Sequence, residues 1–212
     1  MTNELWRLRH DYTGAALDPA TCDPDPIVEV QRWLQAAIEA KLGSPNAMTL
    51  ATVDSRGRPA ARIVLLKAVD ALGFTFFTNY DSRKGRDLAC HPHAALVLYW
   101  EPMQRQIRVE GVVERVSEQE SDAYFASRPR DSQIGAIASP QSEVIANRTE
   151  LERRFDSAAS SSGAVIARPM HWGGYRVVPD SIELWQGQPS RLHDRVLYVR
   201  DGGQWTRERL AP

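Results

Sequence analysis

The chain has 212 residues, and its 26 basic and 27 acidic side chains leave a net charge of −1. That balance excludes a general nucleic-acid binder, which would present a strongly basic surface. Two cysteines, Cys22 and Cys90, exclude a disulfide framework, and the lack of a signal-like or membrane-length apolar run makes a cytoplasmic protein without membrane contact the expectation.

Residues 1–24 are polar and irregular and read as an arm outside the core; residues 25–212 read as one domain. A domain of this length can bury roughly 70% of its unfolded surface and needs no staple. The segment DPIVEVQRWLQAAIEAKLG predicts a helix, with Asp25 as cap, Pro26 in the first turn and Gly43 at the end. Ile27, Val30, Leu34, Ile38 and Leu42 recur at helical spacing and form its expected apolar face. Strand signals follow in AMTLATVD, ARIVLLKAV, GFTFFTN, AALVLYWE and RQIRVEGVVERV, with DSRGRP as a hairpin connection and DSRKGRDLACHP as a short helix.

From Ser117 to about Ser160 the pattern turns helical, with a break at Pro129 and a restart that Asp131 could cap. DSAASSSGA, 156–164, reads as a loop. The end returns to strands in GYRVVP, SIELWQG, HDRVLYVR and QWTRERL. The fold class is therefore mainly antiparallel β with helices in the connections, and a barrel or closed sheet is the expected way to bury so many short strands.

Only three lysines stand beside 23 arginines, which makes Lys67 and Lys84 worth attention. Ser82, Arg83 and Lys84 fall where a helix begins, a position whose free amides and dipole favour an anion. A solvated basic helix start is the competing reading. In RIVLLK, Arg62 and Lys67 close the two ends of an apolar strand and would fall on opposite faces, serving different partners or reaching solvent. Tyr124, Arg128 and Ser132 at steps of four, with Ser132 in a first helical turn, look like anion recognition. In SRLHDR, strand alternation would aim Arg191, His193 and Arg195 one way, near Trp185; a charged sheet edge explains the same pattern. CHPH, Cys90–His93, is too isolated for a structural metal site, and no nucleophile elbow, GxGxxG or Walker loop is present.

Taken together, RIVLLK, TNYDSRKG, SRPRDSQIGAIASPQS, WGGYRVVP and WQGQPSRLHDR, in this order, resemble the pyridoxine/pyridoxamine 5′-phosphate oxidase family from Leu8 to the C-terminus. The resemblance implies a Greek-key split β-barrel homodimer with FMN between the subunits. It assigns to FMN the strand Arg62, Ile63, Val64, Leu65, Leu66 and Lys67, together with Phe77, Thr78, Arg83 and Lys84. Gln106, Gln141, Ser142, Trp185 and Arg195 complete that set. It assigns the substrate phosphate to Lys67, Tyr124, Arg128 and Ser132, places Arg191 and His193 beside the pyridine ring, and has Arg9 and Tyr12 close over the substrate. Phe77 stands where the family often has tyrosine, Ser44 where it is often acidic, and Leu184 where an aromatic is frequent.

The reaction so implied oxidises C4′ of pyridoxamine or pyridoxine 5′-phosphate to pyridoxal 5′-phosphate, with hydride passing to flavin N5 and O2 becoming hydrogen peroxide. Arg195 would then be a fixed cation near the reduced flavin, Arg191 an orienting group, and His193 a positioning or proton-exchanging one. An FMN reductase of another substrate on the same barrel, or a carrier of FMN or pyridoxal phosphate, are the alternatives. The combined phosphate and ring-side set separates the oxidase from both.

Overall fold

The computed structural model describes residues 4, 6–8 and 11–212. Arg9, expected to close over the substrate, lies outside the described residues. The chain forms two compact units, Met1–Thr49 with Ala95–Glu110 and Pro179–Pro212, and Leu50–Ala94 with Gly111–Val178. Four strands contribute to both: β1 (Ala47–Val53), β5 (His93–Trp100), β6 (Arg105–Arg115) and β7 (Trp172–Gln186). With β2 (Pro59–Leu65), β3 (Ala68–Asp70), β4 (Gly73–Asn79), β8 (Asp194–Asp201) and β9 (Gln204–Leu210), they are hydrogen-bonded in the order β2-β1-β5-β6-β7-β4-β3, with β8 on β7 and β9 on β8. Among the described residues no helix is long and apolar enough to cross a membrane.

The first unit contains α1 (Pro26–Glu39), and Asp25 caps it as expected, its carboxylate accepting from the Ile27 N–H at 2.9 Å. Its buried face is Ile27, Val30, Trp33 and Ala37, whereas Ile38 is half exposed. The expected stripe through Leu34, Ile38 and Leu42 is thus rotated, because the large Trp33 ring takes the inward position and carries Arg105 at 4.6 Å. The helix stops at Ala40, with Lys41 at φ 55°, before Gly43 is reached. The arm is not wholly outside the core. Leu17 and Cys22 are buried, and the Tyr198 hydroxyl donates to the Asp23 carbonyl at 2.8 Å.

In this unit β7 and β8 pair antiparallel, with Ile182 opposite Tyr198 and Leu184 opposite Val196, all four fully buried. Alternation puts Glu183, Trp185 and Arg195 on the other face. GYRVVP and SIELWQG belong to one unbroken strand, β7, rather than two. SRLHDR is not a strand throughout: Pro189–Arg191 is a 3-10 turn, Ser190 and Arg191 have φ of 57° and 64°, and pairing begins at Asp194. The proline and two left-handed residues break the alternation, so Arg191 and His193 are presented by a turn and only Arg195 by the strand.

The second unit holds α2 (Arg83–Cys90), α3 (Glu118–Ser127), α4 (Arg130–Ala138) and α5 (Arg148–Ser161). The hairpin at 54–58 forms as expected, with Gly57 at φ 76° and the Asp54 N–H donating to the Arg58 carbonyl at 3.0 Å. Strand β2 ends at Leu65, and the Lys67 N–H donates to the Thr75 carbonyl at 2.8 Å. Arg62 and Lys67 are therefore not two faces of one strand, because Lys67 lies in the irregular link between β2 and β3. Residues 156–161, expected as loop, are the last turns of α5, since alanine and serine there continue a helix already capped by Asn147. Pro129, not Asp131, occupies the cap position of α4, and no side chain bonds there. Antiparallel pairing of β4 with β7 sets Phe77 opposite Gly174 and Thr78 opposite Gly173. A Cβ at Gly174 would lie 2.8 Å from the Phe77 ring, so these glycines are what admit large rings beside the strand.

Candidate functional site

In the second unit a cavity of about 460 Å³ gathers half of the expected site residues. Ile63, Val64 and Leu65 line it from β2, Phe77 and Thr78 from β4, and Lys84 from the start of α2. Helix α2 begins at this cavity because Ser82, extended at ψ 163°, accepts from the Gly85 N–H through its hydroxyl. Lys84 is buried, and its Nζ donates to Thr78 Oγ1 at 3.0 Å, Ser82 Oγ at 3.1 Å and Gln141 Oε1 at 2.9 Å. Burial, and then the Arg62 guanidinium, pull its pKa down to about 8.

Arg62 is fixed by groups the sequence did not single out. Its Nη1 donates to Thr52 Oγ1 at 2.7 Å and the Leu50 carbonyl at 3.2 Å, and its Nη2 lies 3.5 Å from Asp87. Thr52 in turn donates to Asp87 at 2.7 Å. Arg83 and Ser142 are exposed, the latter with φ 74°, and Leu66 points into the core.

The same cavity takes in Lys67, Tyr124, Arg128 and Ser132. Ser132 sits in the first turn of α4, as its spacing predicts, its N–H donating to the Pro129 carbonyl at 2.9 Å. Arg128 Nη1 is buried with no hydrogen-bond partner. Among the described residues no carboxylate lies within ion-pair distance of Lys67, Lys84 or Arg128. A buried guanidinium nitrogen left without an acceptor costs stability, and an anion is the partner that fits it. The donor set thus suits phosphate groups, and Lys84 with Thr78 and Gln141 suits the phosphate end of FMN.

The first unit assembles a different cluster. The Tyr12 ring meets Trp185 edge-on at 5.7 Å and His193 at 4.9 Å, and Trp185 lies 4.7 Å from His193. A Cβ at Gly187 would fall 2.4 Å from the Tyr12 ring, so the glycine makes room for it. Arg191 lies 5.5 Å over Tyr12. The Gln188 N–H donates to His193 Nδ1 at 3.1 Å, which leaves the proton of the neutral ring on Nε2. Burial and the nearby Arg191 charge lower the His193 pKa. Arg195 is held by Glu183 through two bonds of 2.8 and 3.0 Å, with Nη1 on the Ala211 carbonyl, so this cation is fixed in place and paired within the chain. Gln106 is half-buried in this unit. Glu183 could have been found from strand alternation, two residues before Trp185; Asp87 and Thr52 carried no motif that linked them to Arg62.

The chain resembles known proteins along nearly all of its length. Residues 34–161 match the family model described as pyridoxamine 5′-phosphate oxidase, and residues 172–212 match the pyridoxine 5′-phosphate oxidase C-terminal dimerisation region. Pyridoxine/pyridoxamine 5′-phosphate oxidase of Burkholderia ambifaria is 58% identical over 208 residues, covering 97% of each chain. The protein of the same name from Paraburkholderia phymatum is 56% identical over 206 residues, again 97% of each. Among solved structures, PhzG from Burkholderia lata 383 in complex with tetrahydrophenazine-1-carboxylic acid superposes with TM-score 0.88 at 32% identity, covering 94% of this chain and 99% of that one. An FMN-binding, pyridoxamine 5′-phosphate oxidase-related protein of Nostoc punctiforme shares the fold at TM-score 0.71 and 18% identity, covering 93% of this chain and 100% of its own. The expected antiparallel β fold with helices is thus the fold of these proteins, and the chain belongs to the pyridoxamine 5′-phosphate oxidase family.

Proposed function

We propose that this protein is an FMN-dependent oxidase that converts pyridoxamine 5′-phosphate or pyridoxine 5′-phosphate to pyridoxal 5′-phosphate, working as a homodimer. The observation that carries the reading is the convergence of Lys67, Tyr124, Arg128 and Ser132 on one cavity, with Arg128 Nη1 buried and free to receive a phosphate oxygen. FMN, the cofactor of this family, supplies hydride acceptance from C4′ and reoxidation by O2.

The chain's own residues do the binding and orienting. Lys84 and Arg62 provide fixed positive charge for the cofactor phosphate, and the Thr78 hydroxyl and Gln141 amide hold Lys84 in place. Lys67, Tyr124, Arg128 and Ser132 bind the substrate phosphate by charge-assisted bonds. Arg191 orients the pyridine ring. His193, neutral near pH 7, donates from Nε2, which favours a positioning role over proton transfer. Tyr12 closes over the substrate and helps to exclude water. The match to a dimerisation region supports the homodimer.

The carboxylic acid held by PhzG offers no phosphate, whereas this cavity is furnished with phosphate-binding groups. The test is anaerobic addition of pyridoxamine 5′-phosphate to the FMN-loaded protein. Flavin absorbance should bleach, recover with air, and yield hydrogen peroxide and pyridoxal 5′-phosphate. An unbleached flavin, or bleaching only by a phosphate-free cyclic acid, would overturn the reading.

A further inference from the structure

We propose that Trp172 is a positioning residue for the substrate phosphate, its indole carrying the Arg128 guanidinium and setting where the free Nη1 stands. The inference rests on the reading above, in which Arg128 binds that phosphate.

Arg128 closes α3 with extended backbone (ψ 148°) and is followed by Pro129, so its long side chain leaves a helix end rather than a packed face. What holds it is aromatic. The guanidinium carbon lies 4.6 Å over the Trp172 ring and 5.7 Å over Phe125. An aromatic face attracts a cation without accepting its N–H protons in the ring plane, so the charge and the donors stay available to an anion. A carboxylate in the same place would neutralise both. That explains how Nη1 is both shielded and unpaired.

Trp172 is itself immobilised. It is buried, its N–H donates to the Pro169 carbonyl at 3.0 Å, and its carbonyl accepts from Arg168 Nη1 at 2.7 Å. Arg168 is anchored by Nε to Asp122 at 2.6 Å, on the helix that carries Tyr124. The Trp172, Tyr124 and Phe77 rings lie within 6 to 19° of parallel, and Lys67 Nζ stands 5.8 Å over Tyr124. Two cations of the phosphate set therefore rest on neighbouring rings of one platform, and Trp172 is the member that touches Arg128.

The test uses FMN-loaded enzyme and steady-state kinetics with pyridoxamine 5′-phosphate and with unphosphorylated pyridoxamine. Trp172→Met, which keeps bulk and removes the ring, should raise KM for the phosphorylated substrate about tenfold with kcat nearly unchanged. Trp172→Phe, which keeps a ring, should remain within about threefold of the parent. In an Arg128→Ala background the Trp172→Met change should add nothing, the non-additivity expected of groups that act as a unit. An unchanged KM in Trp172→Met, or a full additional penalty in the double variant, overturns the inference. Should Trp172→Met fail to fold, Trp172→Phe decides: a small rise that vanishes in the Arg128→Ala background supports the role, and a rise that persists there refutes it. A parent enzyme with no preference for the phosphorylated amine defeats the functional reading itself. A parent that has the preference, undiminished in the Trp172 variants, defeats only this inference.

Discussion

The two clusters of candidate residues treat charge in opposite ways. In the unit built on 50–94 and 111–178, Lys84 is buried on neutral acceptors and the half-buried Arg128 rests on aromatic rings, with no carboxylate within ion-pair distance of either among the described residues. In the other unit, Arg195 is clasped by Glu183, and Arg209 lies against Asp18 and Asp194. Burial pulls the Arg128 pKa down, whereas the bonds that Arg195 donates to Glu183 push its own pKa up. In the first region Lys84 and Arg128 keep charge that no carboxylate beside them neutralises, which suits an anion from outside the chain. The second pairs Arg195 and Arg209 within the chain and offers an oriented imidazole and the Arg191 guanidinium.

The contrast can be broken by exchanging which step each region controls. Arg191→Ala should lower kcat/KM for pyridoxamine 5′-phosphate by about a hundredfold, as two charge-assisted contacts would, while FMN remains bound. Loss of FMN on gel filtration would place Arg191 in the wrong role. Lys84→Met should do the reverse, weakening FMN binding by roughly ten- to hundredfold, the value of one charge-assisted bond. Fluorescence titration of the apoprotein reads this directly, and an unaltered Kd would remove Lys84 from the cofactor site.

Protonation sharpens the same point. With a pKa near 8 in the free protein, Lys84 loses its proton as pH rises through that value, and the phosphate must then bind a neutral amine. FMN affinity should be steady near pH 7 and fall above 8, by up to about tenfold per pH unit. The effect on folding has the opposite sign. Between pH 8 and the ordinary lysine value of about 10.4, the unfolded chain binds more protons than the folded one, so this group's contribution to stability rises with pH. A flat FMN affinity from pH 7 to 9 would show that Lys84 does not titrate at the site. The smallest effect serves as a control: Asp25→Ala removes the α1 cap and should cost about 1 kcal/mol in urea unfolding without altering FMN affinity.

Most of the architecture was legible because hydrophobic alternation and turn residues mark antiparallel strands locally. The α1 cap at Asp25, the hairpin around Gly57 and the first-turn placement of Ser132 were all readable in this way. The errors arose where tertiary packing overrode a local signal. Trp33 rotated the helix face, and the serine-rich end of α5 stayed helical. The turn after Pro189 removed the alternation on which the reading of Arg191, His193 and Arg195 depended. In the site, residue types that suit anions could be named from spacing and resemblance. The groups that restrain them could not. Thr52 and Asp87 meet Arg62 only through folding, and Trp172 meets Arg128 across 44 positions of chain.

The consecutive left-handed residues Ser190 and Arg191 have a consequence for any attempt to make this protein hardier. Each non-glycine residue in that region costs about 1 kcal/mol or more, and Ser190→Gly would release the cost at one of them. The same glycine would widen the range of backbone angles available beside Arg191 and His193. Heat resistance and turnover should therefore move apart at this position, and thermostability screening alone would select the less active enzyme.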